Sequence, residues 1–227
     1  MLLPLPDLLT QEDVTGLRAL IEKAEWIDGN ATSGHQARLV KHNQQLAEDS
    51  AEAREAGQIV LAALARNPAF ISAALPARIY PPMFNSYAGG QTYGLHVDNA
   101  VRVMPRGGES VRADLSMTVF LEDPEAYDGG ELTIETAFGA QRVKLPAGHG
   151  VLYPSSSLHR VEPVTRGRRL ASFLWVQSMV RADGARSSLF DLDQSIQQLA
   201  GELGEGHPAL VRLTGVYHNL LRQWAEA

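Results

Sequence analysis

Short β-type segments separated by glycine-containing turns fill the middle of the chain, from Ile79 to Gln177. The predicted strands are Ile79–Tyr87, Asp114–Leu121, Glu131–Thr136, Ala140–Lys144, Gly150–Tyr153 and Arg169–Gln177. Each is too short for a helix and is rich in β-branched or aromatic residues. Glycine pairs such as Gly89-Gly90 and Gly129-Gly130 supply the positive φ that tight turns between strands require. Many short strands with this punctuation predict a β-barrel or a β-sandwich.

Helical patterns flank the β-rich region on both sides. Residues 10–25 place apolar residues at helical spacing after Thr10, a residue type that caps helix N-termini, and residues 44–66 have the composition of a long helix. We expect Asn67-Pro68 to end that second helix, because the residue before a proline disfavours the helical conformation. Residues 189–202 and 208–225 return to helical spacing. The pattern predicts an α+β protein with N-terminal supporting helices and a small C-terminal helical bundle.

The length of 227 residues favours one main domain, because two full catalytic domains would not fit in such a chain. We assign residues 1–180 to that domain, with a β core at about 78–178, and residues 181–227 to a helical extension.

Composition excludes several classes of protein. The chain has no cysteine, which removes disulfides, thiolate nucleophiles and iron–sulfur clusters and leaves histidine and carboxylates as metal ligands. A net charge of −6 gives no general attraction to nucleic acid, so we expect no nucleic-acid partner. No apolar run approaches the roughly 20 residues of a membrane span, and the first residues do not resemble a secretory signal. We therefore expect a soluble cytoplasmic protein without a membrane partner.

His96-Val97-Asp98 is the segment with the clearest chemical meaning. On an extended segment, two side chains that are separated by one residue point to the same side, so His96 and Asp98 can bind one ion together. Two imidazoles and one carboxylate occupy one face of an octahedral Fe(II) ion and leave the other face open for chemistry. The third ligand must come from elsewhere, and His159 is the candidate, although a hydrogen-bonded core histidine would suit the same position.

Arg169 lies ten residues after His159 and begins the apolar segment Leu170–Val176. A guanidinium in an apolar strand is costly unless it meets a fixed anion, and its planar fork matches a carboxylate. An anionic ligand inside the barrel would satisfy it. Strand alternation places Arg168 and Arg169 on opposite faces, and both faces are apolar enough that periodicity does not choose between these arginines.

Other polar residues give weaker signals. His149 is typical of a turn, and solvated or capping positions are expected for the histidines at positions 35, 42, 207 and 218. The acidic segment Glu122–Glu125 follows a strand in an apparent solvated loop, which argues against paired-carboxylate hydrolysis. The glycine pairs lack the spacing of nucleotide-binding loops.

Four separated segments together resemble the prolyl and lysyl hydroxylase branch of the Fe(II)- and 2-oxoglutarate-dependent dioxygenase superfamily. These segments are Phe84–Tyr87, Tyr93–Asn99, Asp128–Leu132, and His159–Val164 followed by Gly167-Arg168-Arg169. In its length and its helical C-terminus the chain resembles the bacterial PKHD-type hydroxylases, some of which are described as iron-uptake factors. The resemblance implies a double-stranded β-helix, a jelly-roll or cupin-like barrel, and a function linked to iron uptake.

The resemblance also implies a role for individual residues. His96, Asp98 and His159 would be the iron ligands, and Arg169 would bind the 5-carboxylate of 2-oxoglutarate. Many relatives have Arg-x-Ser where this chain has Arg169-Leu170-Ala171, so a hydroxyl partner for that carboxylate is missing. Tyr87 is the candidate replacement, and a half-buried barrel aromatic is the alternative. The cofactors would be Fe(2+), 2-oxoglutarate as cosubstrate and L-ascorbate, and the reaction would use O2 to hydroxylate a C–H bond, releasing succinate and CO2.

Two other functions use the same residues. One is a non-catalytic cupin-type sensor that binds a metal or a small anion, since a barrel fold does not dictate catalysis. The other is a zinc- or manganese-dependent cupin enzyme that ignores 2-oxoglutarate. The substrate, a small molecule or a peptide, is not specified by any residue, and residues 28–43 and 99–112, which include Arg102, Arg106 and Arg112, are candidate substrate-facing loops. The C-terminal helices could cap the barrel or form a homo-oligomer interface.

Overall fold

The computed structural model describes residues 1–32, 39–105 and 107–226, and these ranges contain seventeen strands and five α-helices. The helices are α1 (Gln11–Ile21), α2 (Ala51–Ala65), α3 (Pro68–Ala74), α4 (Asp183–Leu203) and α5 (Pro208–Trp224). The strands are β1 (Leu3–Leu5), β2 (Trp26–Asp28), β3 (Lys41–His42), β4 (Gln44–Leu46), β5 (Pro76–Ile79), β6 (Met83–Ala88), β7 (Thr92–His96), β8 (Val101–Val103), β9 (Ser110–Arg112), β10 (Leu115–Phe120), β11 (Asp128–Gly129), β12 (Leu132–Thr136), β13 (Gly139–Val143), β14 (Gly150–Pro154), β15 (His159–Val161), β16 (Val164–Arg166) and β17 (Arg168–Ser178).

Two antiparallel sheets form the core of the molecule. The larger sheet has the order β1-β14-β10-β17-β6-β4-β2, with β5 also paired to β17, and the smaller has the order β13-β12-β15-β7-β3. Apolar side chains of both sheets pack together between them, with Phe120 and Val151 from the larger sheet contacting the group formed by Leu132, Ile134 and Val161 from the smaller. This arrangement confirms the predicted jelly-roll-like core with added helices.

The N-terminal helices cover the outer face of the larger sheet. Leu17 of α1, Val60 of α2 and Phe70 of α3 are fully buried in one cluster with Phe84 and Leu174 of the sheet. Full burial of each such side chain contributes about 1.5–3 kcal/mol, which explains why these helices are fixed to the sheet. The inner face of the same sheet is thereby left to face the smaller sheet.

The two predicted N-terminal helices are confirmed only in part. Thr10 caps α1 through a capping box with Asp13, as predicted. The predicted helix at 44–66 is wrong in its first part, because Gln44–Leu46 forms strand β4 against β6 and the helix begins only after the Ser50 cap. Asn67 follows the end of α2 and caps α3 by accepting a 2.8 Å hydrogen bond from the Phe70 amide. The sequence pattern did not predict α3.

The strand predictions need two corrections. The predicted strand Ile79–Tyr87 is divided between two strands, β5 and β6. Pro81 and Pro82 lie between them and have no backbone N–H to donate to a neighbouring strand. Strands β7 and β15, which carry His96 and His159, were not predicted as strands, because they are short and polar and owe their extended form to pairing with each other.

The C-terminal helices α4 and α5 pack against the end of the β core. Leu189 of α4 is fully buried with Leu75 and Val180. The buried Arg186 guanidinium donates hydrogen bonds of 2.7 Å to the Val180 and Arg181 carbonyls, which ties α4 to the end of β17. Within the described residues no helix has the length and apolar content of a membrane span.

Candidate active site

A cavity lies between the inner faces of the two sheets, with about 800 Å³ of empty space that is partly open to solvent. Strands β6, β10 and β17 of the larger sheet and strands β7, β12 and β15 of the smaller sheet supply its wall. The polar and charged side chains that line it are Lys41, Asn43, Gln45, Asn85, Tyr87, Tyr93, His96, Asp98, Asn99, Arg102, Ser116, Thr118, Tyr153, His159 and Arg169. The predicted site residues are therefore all in this one cavity.

His96, Asp98 and His159 form a cluster of potential metal ligands in the cavity wall. Their ligand atoms all lie within 4.8 Å of one another. Asp98 Oδ1 is 4.0 Å from His96 Nε2, and Asp98 Oδ2 is 3.7 Å from His159 Nε2. The two histidines meet because β7 and β15 are antiparallel neighbours with His96 directly opposite His159.

Backbone carbonyls fix the tautomer of both imidazoles. The Nδ1 atom of His96 lies 2.7 Å from the Gly94 carbonyl oxygen, and Nδ1 of His159 lies 2.9 Å from the Ser157 carbonyl oxygen. Since a carbonyl only accepts, each Nδ1 carries a proton, which makes Nε2 the nitrogen of each ring that is available to a metal. Burial, with a further contribution from His159, lowers the pKa of His96 to about 4, so this imidazole is neutral at physiological pH.

Aromatic rings and hydroxyls hold the three side chains in place. The Tyr93 ring stacks on His96 with a centroid separation of 3.5 Å, and the Tyr153 ring meets His159 edge-on at 5.2 Å. Ser116 Oγ donates a 2.6 Å hydrogen bond to Asp98 Oδ2 and lies 2.7 Å from Ser155 Oγ. The cluster is therefore preorganised by its neighbours, which is the requirement for a metal centre of defined geometry.

Arg169 lies elsewhere in the cavity wall, on β17, with a side chain that is 1% exposed. Its Nη1 is 3.4 Å from Asn85 Oδ1, and its buried Nε has no hydrogen-bond partner within the described residues. The rings of Tyr87 and Phe120 each lie 5.4 Å from its Cζ. A buried guanidinium with an unused donor in an aromatic setting is suited to a bound carboxylate.

The adjacent Arg168 points to the opposite face of the sheet. Its Nε donates a 2.7 Å hydrogen bond to Ser86 Oγ, and its guanidinium lies 4.8 Å from the centre of the Trp26 ring. The structure thus separates the two arginines that periodicity left equivalent, and only Arg169 lines the cavity.

Tyr87 is fully buried beside Arg169 and lines the same cavity. Burial raises the pKa of its phenol to about 12 although the Arg169 guanidinium opposes the rise, so the hydroxyl stays protonated and can donate. Ala171 is fully buried on β17 opposite Asn85 of β6. The Asn85 side chain, 3.4 Å from Arg169 Nη1, is a second polar neighbour of Arg169.

Several cavity residues were missed by sequence reasoning. Ser116 and Thr118 alternate with apolar residues along β10, and that alternation is the signal that could have identified them. Asn85 of β6 stands next to Ser86, so alternation does not single it out. Lys41, in the candidate segment 28–43, was not singled out, whereas Arg102, in the segment 99–112, is one of the arginines expected to face the substrate, and it lines the cavity. These two give no periodic signal, because their place in the wall depends on the tertiary fold.

The candidate loops are only partly tested. Residues 33–38, which include His35, and Arg106 lie outside the described residues. Arg112 does not line the cavity of the described structure. Its side chain donates hydrogen bonds to Asp114, to Glu226 and to the Ser178 carbonyl.

The remaining polar candidates lie away from the cavity. His149 occupies a turn, 3.4 Å from an oxygen of Asp7, and His207 caps α5 by accepting a hydrogen bond from the Ala209 amide, as predicted for such residues. Glu122 forms an ion pair with Arg18 at 2.8 Å. None of these three residues lines the cavity of the described structure.

Comparison with protein families gives two matches. Residues 82–177 match the 2OG-Fe(II) oxygenase superfamily, and residues 183–226 match the PKHD-type hydroxylase C-terminal domain.

Proteins named PKHD-type hydroxylase match the chain from end to end. One from Rhizorhabdus wittichii is 58% identical and one from Xanthomonas axonopodis pv. citri is 60% identical, each over 228 residues and with 100% of both chains covered. One from Methylobacillus flagellatus is 57% identical over 227 residues, again with 100% of both chains covered.

Solved structures share the fold at lower identity. A Pseudomonas putida prolyl-4-hydroxylase superimposes with a TM-score of 0.57 at 22% identity, covering 78% of this chain and 92% of that one. A prolyl hydroxylase from Trichoplax adhaerens, in complex with a hypoxia inducible factor peptide fragment, gives 0.58 at 15% identity, with 83% and 86% covered.

Proposed function

Because the chain belongs to the PKHD-type hydroxylases, which are Fe(II)- and 2-oxoglutarate-dependent dioxygenases, we propose that His96, Asp98 and His159 bind its ferrous ion. Two neutral imidazole nitrogens and one carboxylate within 4.8 Å fit the donor set of a non-haem Fe(II) site. When bound, the ion together with 2-oxoglutarate and O2 supplies the chemistry that hydroxylates a C–H bond and releases succinate and CO2.

We further propose that Arg169 binds the 5-carboxylate of 2-oxoglutarate. The observation that carries this assignment is the buried Nε of Arg169, which has no partner among the described residues and lies in the same cavity as the three candidate ligands. A dicarboxylate that reaches from the ligand cluster to Arg169 would satisfy this donor and neutralise the buried guanidinium. Tyr87, protonated and adjacent, would donate the hydroxyl hydrogen bond that Ala171 cannot provide.

The protein's own contribution is to position and protect these groups. The hydrogen bonds at His96 Nδ1 and His159 Nδ1 orient both rings so that Nε2 can bind the ion, and Ser116 restrains Asp98. Apolar side chains in the cavity wall, such as Leu132 and Val161, exclude water from around the reacting groups.

Three finer assignments are part of the proposal. L-ascorbate would keep the iron reduced, as the resemblance to prolyl and lysyl hydroxylases implies. A cytoplasmic location is supported by the absence of cysteine, since no disulfide requires an oxidising compartment. We expect the substrate to be a small molecule or a peptide. A link to iron uptake stays a prediction. A homo-oligomer is also a prediction, and measuring the mass of the protein in solution tests it.

Anaerobic addition of Fe(II) and then 2-oxoglutarate tests the assignment directly. We expect a weak visible charge-transfer band from the chelated keto acid, followed by succinate when air is admitted. A band without succinate would favour the non-catalytic sensor, and turnover that ignores 2-oxoglutarate would favour a zinc or manganese cupin. His159→Ala should remove the band, while His149→Ala, at the turn beside Asp7, should retain it.

A further inference from the structure

A cation–aromatic cluster forms another part of the cavity wall. Arg102 of β8 lies over the Trp175 ring, with its Cζ 4.0 Å from the ring centroid, and 4.9 Å from the centroid of Tyr80. The rings fix the guanidinium plane without supplying a negative charge. Arg102 and Trp175 both line the cavity that contains His96 and Asp98.

Two buried N–H donors of this cluster have no acceptor. Arg102 Nε and Trp175 Nε1 are each buried without a hydrogen-bond partner in the described part of the chain. Trp175 is only 6% exposed, so bulk water does not compensate for the missing acceptor. A buried donor without an acceptor is unfavourable, and a ligand with acceptor oxygens would satisfy it.

The charged groups of the cavity indicate the sign of the charge on that ligand. Under the proposed function, on which this inference rests, the charges of iron and Arg169 are offset by Asp98 and the two carboxylates of 2-oxoglutarate. Lys41 and Arg102 add two positive charges to the same wall. Lys41 Nζ donates to the Gly29 carbonyl at 2.8 Å, a neutral acceptor.

A nearby carboxylate offsets only part of this charge. Glu48 accepts a 2.9 Å hydrogen bond from the Tyr80 hydroxyl. Burial and the neighbouring Arg102 lower the pKa of Lys41 to about 8, whereas Asp28, Asp98 and Glu48 raise it. Among the described residues, Lys41 and Arg102 thus place two cations in one wall of the cavity, which favours a ligand of negative charge.

We propose that the substrate carries an oxyanionic group, which Arg102 and the indole N–H of Trp175 bind. A carboxylate or a phosphate would accept hydrogen bonds from both donors and place a negative charge beside the two cations. Met83 and Phe173, which line the cavity beside Trp175, would contact an apolar part of the same molecule. The anion would thereby set the position of the substrate relative to the iron ligands.

Equilibrium binding of small aromatic probes tests this subsite without turnover. Anaerobic protein loaded with Fe(II) and saturated with 2-oxoglutarate is titrated calorimetrically with benzoate, with neutral benzamide and with phenylphosphonate. We expect benzoate to bind about tenfold more tightly than benzamide, the size of one charge-assisted hydrogen bond. The phosphonate titration distinguishes a phosphate-type ligand from a carboxylate.

Arg102→Gln should reduce the benzoate preference to about one, and Trp175→Phe should reduce it while keeping the ring beneath the guanidinium. Arg142→Gln, an exposed arginine on β13, is the matched control and should leave the preference unchanged. Equal binding of benzoate and benzamide by the wild type, or a preference that survives in both cavity variants, would overturn the inference.

The charge-transfer band separates this result from the proposed function. A normal band in a protein with no anion preference counts against the anion subsite alone. Absence of the band, with the Arg102-dependent preference intact, counts against the iron and 2-oxoglutarate assignment and leaves the anion subsite standing.

Discussion

Gly130 lies directly against the side chain of Arg169. A Cβ atom at position 130 would come within 3.0 Å of Arg169 Cδ, within 2.9 Å of Val164 Cγ2 and within 3.0 Å of Tyr127 Cε2. The backbone at Gly130 also has a φ of 69°, a conformation that disfavours residues with a Cβ. This glycine therefore makes the space in which the buried guanidinium lies.

Gly130→Ala should displace Arg169 and weaken binding of 2-oxoglutarate. We expect a loss of about 1–3 kcal/mol in the free energy of unfolding from backbone strain, together with a higher KM for 2-oxoglutarate. Gly139→Ala is the control, because its φ is 104° but no atom lies within 4 Å of the added Cβ. It should lose stability and keep its KM, and a similar KM in both variants would contradict the steric role of Gly130.

Arg169→Gln should raise the KM for 2-oxoglutarate roughly 10- to 100-fold, because charge-assisted hydrogen bonds to the cosubstrate are lost. The affinity for Fe(II) should be unchanged. Arg168→Gln is the matched control on the neighbouring position, since its side chain bonds Ser86 on the opposite face. A comparable rise of KM in Arg168→Gln would show that the wrong arginine has been assigned to the cosubstrate.

Ser116→Ala should lower the affinity for Fe(II) about tenfold, because Asp98 loses the 2.6 Å hydrogen bond that orients it. Metal titration monitored by calorimetry measures the change, and the KM for 2-oxoglutarate reports any wider damage. Ser172→Ala, at a buried hydroxyl without a partner in the described structure, should leave the affinity as it is. Equal Fe(II) affinities in wild type and Ser116→Ala would remove Ser116 from the positioning of Asp98.

Tyr87→Phe should raise the KM for 2-oxoglutarate roughly threefold to tenfold if its hydroxyl donates to the cosubstrate, the effect of one neutral hydrogen bond. Tyr127→Phe provides the comparison, because the Tyr127 hydroxyl is buried without a partner in the described structure and Tyr127 does not line the cavity. Steady-state kinetics of both variants distinguish a cosubstrate contact from a packing role. If Tyr87 only packs, the KM of Tyr87→Phe should be unchanged.

Leu189→Ala should lower the free energy of unfolding by about 2–5 kcal/mol, because it leaves a cavity between α4 and the end of β17. Val211→Ala, on the exposed side of α5 where the valine is 67% exposed, should change it by less than about 0.5 kcal/mol. Denaturant unfolding measures both. A small effect of Leu189→Ala would mean that residues 181–227 fold independently of the rest.

The sequence by itself determined what depends on local pattern. Alternation placed His96 and Asp98 on one side of an extended segment, the spacing of glycines predicted a barrel or sandwich of short strands, and Thr10 marked the start of α1. Such features need only the chain's own periodicity and the chemistry of neighbouring residues, so they are legible without the fold. The resemblance of four segments added the identity of the expected cosubstrate.

The tertiary structure decided which surfaces meet. The pairing of β15 with β7 sets His159 opposite His96, and the helices that cover one face of β17 leave Arg169, rather than Arg168, in the cavity. A period of two fixes which residues share a face but not which face is enclosed, because enclosure depends on contacts between residues far apart in the chain. For the same reason, the approach of Lys41 and Arg102 to one wall could not be read from either loop alone.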